Sequence, residues 1–338
     1  MNNSKILSIS IAAYNVSTTL RQCIDPFLKS GVMDALDIMV VDDGSKDNTA
    51  DIAREYAEKY PQSIRLISKE NGGWGSTVNT GIQNAVGKFF RQLDGDDYYK
   101  PENMKDYIEF LRATEADMVL APYIEFSDAT GEIMSEPNCN PGCEIGRVYE
   151  MAEISHMAPF MHSMTVKTER IKDHISITEH CFYTDTEFVL KSCNMAEKIA
   201  FFDKPIYCYR RASAGQSMSL SGLEKHYNDQ SIVVETMLDY QNAEVKRKEV
   251  LKIYEELLQN TCGWQYLVLL YVSRTKEHKK ALMAFDRMLK EKGPGYYNRI
   301  TIPVILTLRK TGFAGYSIGA FLQMKKDKRF DSEGRILY

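Results

Sequence analysis

The sequence predicts an α/β protein: a mostly parallel sheet with helices on both faces, followed by a helical C-terminal extension. Three observations carry this expectation. Over the first 120 residues, short apolar runs alternate with amphipathic segments. Acids, glycines and asparagines fall just past the apolar runs, not inside them. Beyond about residue 220 the alternation gives way to helical periodicity.

Ile6 to Ala12 reads as a strand rich in Ile and Ser, and Thr18 to Lys29 as a helix with apolar spacing. Leu36 to Val41 reads as a buried strand running into acids and a glycine. Thr49 to Tyr60 reads as a helix, with Asp47 and Asn48 available as caps and Pro61 just beyond. Ile64 to Ser68 is a third strand, and Ser76 to Val86 a helix after the glycines of NGGWG. Phe89 to Leu93 is a fourth strand, ending in DGDD; Pro101 to Ala113 is a helix opened by proline, and Met118 to Tyr123 a fifth strand. From about 124 to 215 the pattern is irregular, with short strands and loops, and from about 222 to 290 it is strongly helical. Asn15, Asp42, Asp43, Asp94, Asp96 and Asp97 thus all lie just past the C-terminal ends of strands. Open α/β sheets bind ligands in the crevice outside those ends, so these residues predict one site assembled from distant segments.

With 338 residues, 44% hydrophobic and 26% charged, the chain can bury a substantial core. A net charge of −4 argues against a nucleic-acid partner held by bulk charge. Seven scattered cysteines, an odd number, argue against a disulfide framework and for a reducing compartment. Cys139 and Cys143 lack the second ligand pair that a zinc site needs. The opening MNNSKILSISIAAYN does not read as a signal peptide, and no run reaches the ~18 apolar residues of a spanning helix. The expected location is cytoplasmic.

Four segments can carry chemistry. In LDGDDYY, residues 93–99, carboxylates two apart at a strand end can face one divalent cation, or form an acidic turn without a ligand. Tyr98 and Tyr99 stand where an EF-hand needs a ligand and a glycine. VVDDGSKDNT, residues 40–49, can offer a carboxylate to a base or ribose, or simply connect strand to helix. In NGGWGSTVNTGIQNAVGKFF, residues 71–90, glycines permit close backbone approach, yet neither a P-loop nor a dinucleotide fingerprint fits. That spacing removes P-loop kinases and dehydrogenases from consideration. In EHCFYTDTEFVLKSC, residues 179–193, Asp185 is a helix cap or a general base, and Thr184 is an equal cap.

Together and in this order, ISIAAYN, VVDDGSKDNT, ENGGWGSTVNTGIQNAVGKFFRQLDGDD and YTDTEF resemble the family 2 glycosyltransferases of the GT-A fold, over about residues 5–220. The resemblance implies an inverting enzyme that moves a sugar from a nucleoside diphosphate sugar, most often UDP-linked, to an acceptor hydroxyl. It implies a divalent cation, Mn²⁺ or Mg²⁺, and a glycan or lipid-linked acceptor. The family's nucleotide contacts fall on the loop Ala13, Tyr14 and Asn15, on Asp42 or Asp43, on Lys69, and on Asp94 and Gly95. Its DxD metal motif falls on Asp94 and Asp96, with Asp97 the extra acid, and its catalytic base falls on Asp185. Arg210 and Arg211, in CYRRASAGQSMSL, are diphosphate-contact candidates or part of a basic surface turn, with Gln216 to Ser219 in the same loop. Two departures stand out: Ala12 where the family commonly has proline, and Thr184 where many relatives have glutamate. His156 and His162 read as packed or surface histidines, and Trp74 as core or a sugar-stacking ring.

The implied organisation is a catalytic domain over 1–220, with a nucleotide-sugar half to about 123 and an acceptor half from about 124, then a helical region over 221–338. The stretch 299–338 carries eight Lys/Arg against three Asp/Glu around apolar segments. It reads as a surface for an anionic membrane, which would make the protein peripheral on the inner face, or as a helix pair closing over the catalytic domain or forming a homodimer. Two rival functions are a sugar-phosphate nucleotidyltransferase and a non-catalytic nucleotide-sugar binder. The AAYN start lacks the basic Gly-rich signature of the first, and a base opposite the leaving group is superfluous in the second.

Overall fold

Runs of Ile, Val, Leu and Phe that are buried on both faces form the centre of the sheet, and helices cover them. The computed structural model describes residues 5–154, 156–157, 159–211, 219–272 and 275–326. The chain divides into two compact units, one running to Arg211 and taking in Lys248–Val250, the other made from the remaining residues beyond Arg211.

The strands of the first unit are β1 Leu7–Ala13, β2 Leu36–Asp42, β3 Ile64–Ser68, β4 Phe89–Asp94, β5 Tyr98–Tyr99, β6 Met118–Leu120, β7 Tyr123–Ser127, β8 Ile133–Ser135, β9 Tyr149–Glu150, β10 Met164–Lys167, β11 Lys198–Phe201 and β12 Tyr207–Arg211. Its helices are α1 Leu20–Lys29, α2 Thr49–Lys59, α3 Trp74–Asn84, α4 Pro101–Ala113, α5 Thr168–Ile171 and α6 Asp185–Met195. Eight strands form one sheet in the order β3-β2-β1-β4-β10-β6-β11-β9. The first four are all parallel, with Ala13 level with Asp42 and Ala12 level with Asp94. β2 is buried along its whole length, which is why Ile38 to Val41 is an unbroken apolar run and not an alternation, while its buried Asp37 is paired with Arg65. A smaller sheet has the order β5-β12-β7-β8.

Two elements differ from the sequence expectation. Met118 to Tyr123 is two strands, β6 in the large sheet and β7 in the small one. Pro122 stands between them and has no N–H to continue a ladder. The helix expected from Ser76 begins at Trp74, because Gly73 turns the chain with φ +82° directly before it. Strand β10, between β4 and β6, is antiparallel to both.

The second unit is helical: α7 Leu220–Lys225, α8 Asp229–Glu244, α9 Lys248–Tyr271, α10 Lys276–Lys292, α11 Pro294–Arg299, α12 Pro303–Lys310 and α13 Tyr316–Lys326. A buried polar knot joins three of them. Asp286 on α10 accepts from Tyr266 on α9 at 2.7 Å and from Arg309 on α12 at 2.7 Å. Among the described residues, no helix is long and apolar enough to cross a membrane.

Candidate active site

The strand order reverses beside β1, with β2 on one side and β4 on the other. That is the switch point where the C-terminal ends of parallel strands open a crevice. The residues expected at strand ends meet here. Asn15 takes a left-handed conformation, φ +54°, which turns its side chain back to the next loop. Its Oδ1 accepts the Lys46 N–H at 2.7 Å, and its own N–H donates to Ser45 Oγ at 3.0 Å. The Ala13 carbonyl accepts the Asp43 N–H at 2.9 Å, and Tyr14 is half exposed between them. Asp42 accepts the Ser45 N–H at 3.1 Å.

Asp43 is fully engaged inside the protein. Its carboxylate accepts the N–H groups of Gly72 at 2.9 Å and Gly73 at 2.8 Å, and pairs with Lys69 Nζ at 2.9 Å. Lys69 also donates to Ser76 Oγ at 2.8 Å and the Glu70 carbonyl at 2.6 Å, so its ammonium is saturated by protein. Asp43 and Lys69 together fix the glycine loop that starts α3.

The DGDD turn follows β4. Gly95 donates to the Ala12 carbonyl at 3.0 Å, which sets the turn against β1. Asp97 is buried and bound at both oxygens: Tyr207 donates its hydroxyl at 2.6 Å, and Arg210 its backbone N–H at 2.7 Å. Arg210 is also buried. Its guanidinium donates to the Asp96 carbonyl at 2.5 Å and to Gln22 at 2.9 Å, and pairs with Asp128. Rather than a basic surface turn, Arg210 is the clamp that holds the acidic turn. Arg211 pairs with Glu125 at 3.7 Å and lies over the Tyr209 ring. Ser219 caps α7; Gln216 to Met218 of the same loop lie outside the described residues.

Asp94 is the crowded acid. Burial first, then the charges of Asp96 and Asp185, push its carboxyl up to about 7, against the opposing hydrogen bond from Trp74. Burial likewise raises Asp96, where Arg210 pulls the other way. In Asp97, burial and the charges of Asp96 and Asp94 raise the carboxyl well above its ordinary range. Asp185 is the first residue of α6, and Thr184 occupies the cap position without a side-chain cap bond. Protein packed around Asp185 raises its carboxyl, while the N–H groups of Thr186 and Asp185 itself favour the anion. A helix N-terminus favours negative charge there and so opposes the effect of burial.

Trp74 connects the two acidic regions. Its indole N–H donates to Asp94 Oδ1 at 2.7 Å, and its ring meets Phe188 of α6 edge-on, 6.4 Å between centroids. Phe188 lies three residues past Asp185, on the same helix. The segment before α6 is tied to α3 as well. Asn79 and Ile177 exchange hydrogen bonds at 2.8 and 2.7 Å, and buried Glu187 accepts the Thr178 N–H at 3.1 Å. A Cβ on Gly75 would sit 2.1 Å from the Thr178 carbonyl, so only glycine admits this approach.

These acids suit a divalent cation. Asp94, Asp97 and His162 each place a ligand atom within 4.8 Å of the others. Burial, with Arg91 and Arg211 nearby, holds the His162 imidazole down at about 3, so it is neutral and able to donate a lone pair at physiological pH. Arg91 donates to the His162 carbonyl, and Tyr209 stacks on the ring at 4.1 Å. Hard carboxylate oxygens with one imidazole fit Mn²⁺ or Mg²⁺. Sequence reasoning missed His162 because MHS carries no ligand spacing, and missed Tyr207 because its partner lies 110 residues away. Trp74, alone among glycines in NGGWG, was the one visible signal.

Comparison with known proteins agrees with this geometry. Residues 8–171 match the family described as Glycosyl transferase family 2. The chain is 37% identical over 131 residues to EpsH of Bacillus subtilis, named as a glycosyltransferase, covering 38% of this chain and 36% of EpsH. It is 26% identical over 245 residues to the chondroitin synthase of Pasteurella multocida, covering 70% of this chain and 23% of that protein. The chain thus spans about a third of the length of EpsH and a quarter of that of the synthase. Among solved structures it is similar to S. aureus TarS 1–349 in complex with UDP-GlcNAc, with a TM-score of 0.67 at 18% identity over 96% of this chain and 94% of that one. The likeness to TarS is one of fold. With each parallel strand of the matching segment ending in the acids and loops described above, residues 8–171 match glycosyl transferase family 2, and the chain has the GT-A fold.

Proposed function

We propose that the protein is an inverting, metal-dependent glycosyltransferase. It moves a sugar from a nucleoside diphosphate sugar, UDP-linked, to an acceptor hydroxyl, in the assembly of a cell-surface polysaccharide or related glycan. One observation carries the reading: Trp74 donates to Asp94 at 2.7 Å while its ring meets Phe188 of the helix that Asp185 opens, so the strand-end acids and Asp185 are read as parts of one site. The names of the relatives support the product class: a chondroitin synthase and, in TarS, a protein solved with UDP-GlcNAc.

In this reading the loop Ala13–Asn15, Asp42 and Gly95 line the nucleotide, while Asp43 and Lys69 hold the glycine loop against it. Asp94 and Asp96 would hold the cation, with Asp97 and His162 beside them. When bound, the cation supplies charge neutralisation for the departing diphosphate. Asp185 accepts the proton of the acceptor hydroxyl as that oxygen bonds to the anomeric carbon. The bond from that carbon to the diphosphate oxygen breaks, and the electron pair leaves with the nucleotide. Attack from the face opposite the leaving group inverts the centre. The raised basicity of Asp185 suits this role, and positioned base catalysis is worth about 10²–10⁴-fold. The donor is held by about 1–123, the acceptor by about 124–220, and 221–338 is a helical accessory region. The acceptor is a glycan or a lipid-linked saccharide.

The test is a panel of UDP-sugars with Mn²⁺ and a saccharide acceptor, assayed for released UDP. The wild type should release UDP. Asp185→Asn should stop release while keeping donor binding. Donor bound and left intact by the wild type would point to a binding protein; consumption of added pyrophosphate with a UDP-sugar, giving UTP and a sugar 1-phosphate, would point to a nucleotidyltransferase.

A further inference from the structure

Trp74 opens α3 directly after the braced glycine loop, and three contacts fix its place. Asp43 binds the N–H groups of Gly72 and Gly73, and Gly73 turns the chain with φ +82°. Thr77 closes the first turn of α3, its hydroxyl donating to the Trp74 carbonyl at 2.7 Å. The indole ring meets Phe188 edge-on, and Phe188 packs on Phe90 of β4 with 6.1 Å between centroids. A chain of contacts therefore runs from the brace at the end of β2, through the glycine loop and one indole, to the acid at the end of β4.

An indole N–H can only donate, and this one is directed at Asp94 Oδ1, at 2.7 Å. Among the described residues no other group donates to that carboxylate, so Oδ2 is the oxygen left open. A carboxylate tied at one oxygen is held in one orientation and offers a single oxygen to a cation. A carboxylate without the tie can swing and chelate through both. Small octahedral cations such as Mg²⁺ and Mn²⁺ suit the first arrangement, whereas Ca²⁺ accepts carboxylates through one oxygen or two in a flexible geometry. The indole thus acts on the kind of ligand that Asp94 can be, and not only on where it sits.

We propose that Trp74 is a positioning residue: by holding Asp94 Oδ1 it presents the other oxygen alone, and so biases the site toward Mn²⁺ and Mg²⁺ over Ca²⁺. This rests on the metal-dependent reading above. The test is Mn²⁺ binding to the full chain with UDP present, read from the electron paramagnetic resonance of free Mn²⁺ and then competed with Ca²⁺. Trp74→Phe keeps a ring against Phe188 and removes the donor. It should weaken Mn²⁺ binding by about tenfold or more, as loss of a hydrogen-bond partner of a metal ligand does. Ca²⁺ binding should fall less, so a smaller excess of Ca²⁺ should displace Mn²⁺ from the variant than from the wild type. Equal weakening of both ions, or unaltered Mn²⁺ binding, overturns the proposal and leaves the metal-dependent reading standing. A wild type that binds no Mn²⁺ overturns both. A second measurement leaves Trp74 in place. The chain has two tryptophans, so in Trp264→Phe labelled with 5-fluorotryptophan the single fluorine resonance belongs to Trp74. Bound Mn²⁺ should broaden that resonance, and a sharp resonance with Mn²⁺ bound overturns the proposal.

Discussion

Two acidic turns at the ends of β2 and β4, the strands that flank β1, look alike as sequence and behave in opposite ways: VVDDGS and LDGDD. In the first, Asp43 is satisfied by two backbone N–H groups and an ammonium, and the turn is a brace. In the second, Asp94 lies among Asp96, Asp97 and Asp185, and its carboxyl is forced up to about 7. Asp97 there is bound at both oxygens by Tyr207 and Arg210. The braced turn fixes geometry. In the crowded one, burial first and neighbouring charge second raise the carboxyls, and a bound cation would offset both. Adjacent acids in one motif therefore do different work, and their hydrogen-bond partners, not their spacing, tell them apart.

The sharpest way to break this contrast is at Asp185. Asp185→Asn should lower turnover by about 10²–10⁴-fold at unchanged donor KM, measured as UDP release. Next is the brace. Asp43→Ala leaves Lys69 and two loop N–H groups without their acceptor, and should cost about 2–4 kcal/mol in urea unfolding. Asp94→Asn should act in the reverse sense. A carboxyl raised above its unfolded value costs stability as pH rises from about 4 to about 7. In EDTA, therefore, Asp94→Asn should be more stable than wild type at pH 8, on the order of 2 kcal/mol, with little difference at pH 4. Equal stability at both pH values would remove the crowding argument. The smallest effect belongs to the connector. Trp74→Phe keeps a ring against Phe188 but removes the donor to Asp94, and should cost about 1 kcal/mol in unfolding.

The sheet and its helices were legible because apolar alternation and strand-end acids are local signals. The first four strands and a mostly parallel sheet follow from them directly, whereas the switch point beside β1 comes from the strand order. What was not legible depends on distant partners. Which of Asp42 and Asp43 braces the glycine loop depends on N–H groups 29 and 30 residues away. Arg210 reads in sequence as a diphosphate-contact candidate or part of a basic surface turn, yet Gln22, Asp96 and Asp128 converge on it inside the fold. His162 becomes a site residue only because β10 inserts antiparallel beside β4, a pairing that no strand–helix alternation announces. Pro122 was visible and marked the break between β6 and β7, but a run of apolar residues on both sides concealed it.

The most direct test of the central claim is thermal unfolding with UDP and a panel of UDP-sugars, each with Mn²⁺ or with EDTA, in wild type and Asp96→Ala. Binding to the folded state alone stabilises by about 2.7 kcal/mol at a hundred times the dissociation constant. The account predicts a rise in Tm with UDP or one UDP-sugar that needs Mn²⁺ and disappears in Asp96→Ala. No shift with any nucleotide in the presence of metal, or a shift unaffected by EDTA and by Asp96→Ala, would contradict it.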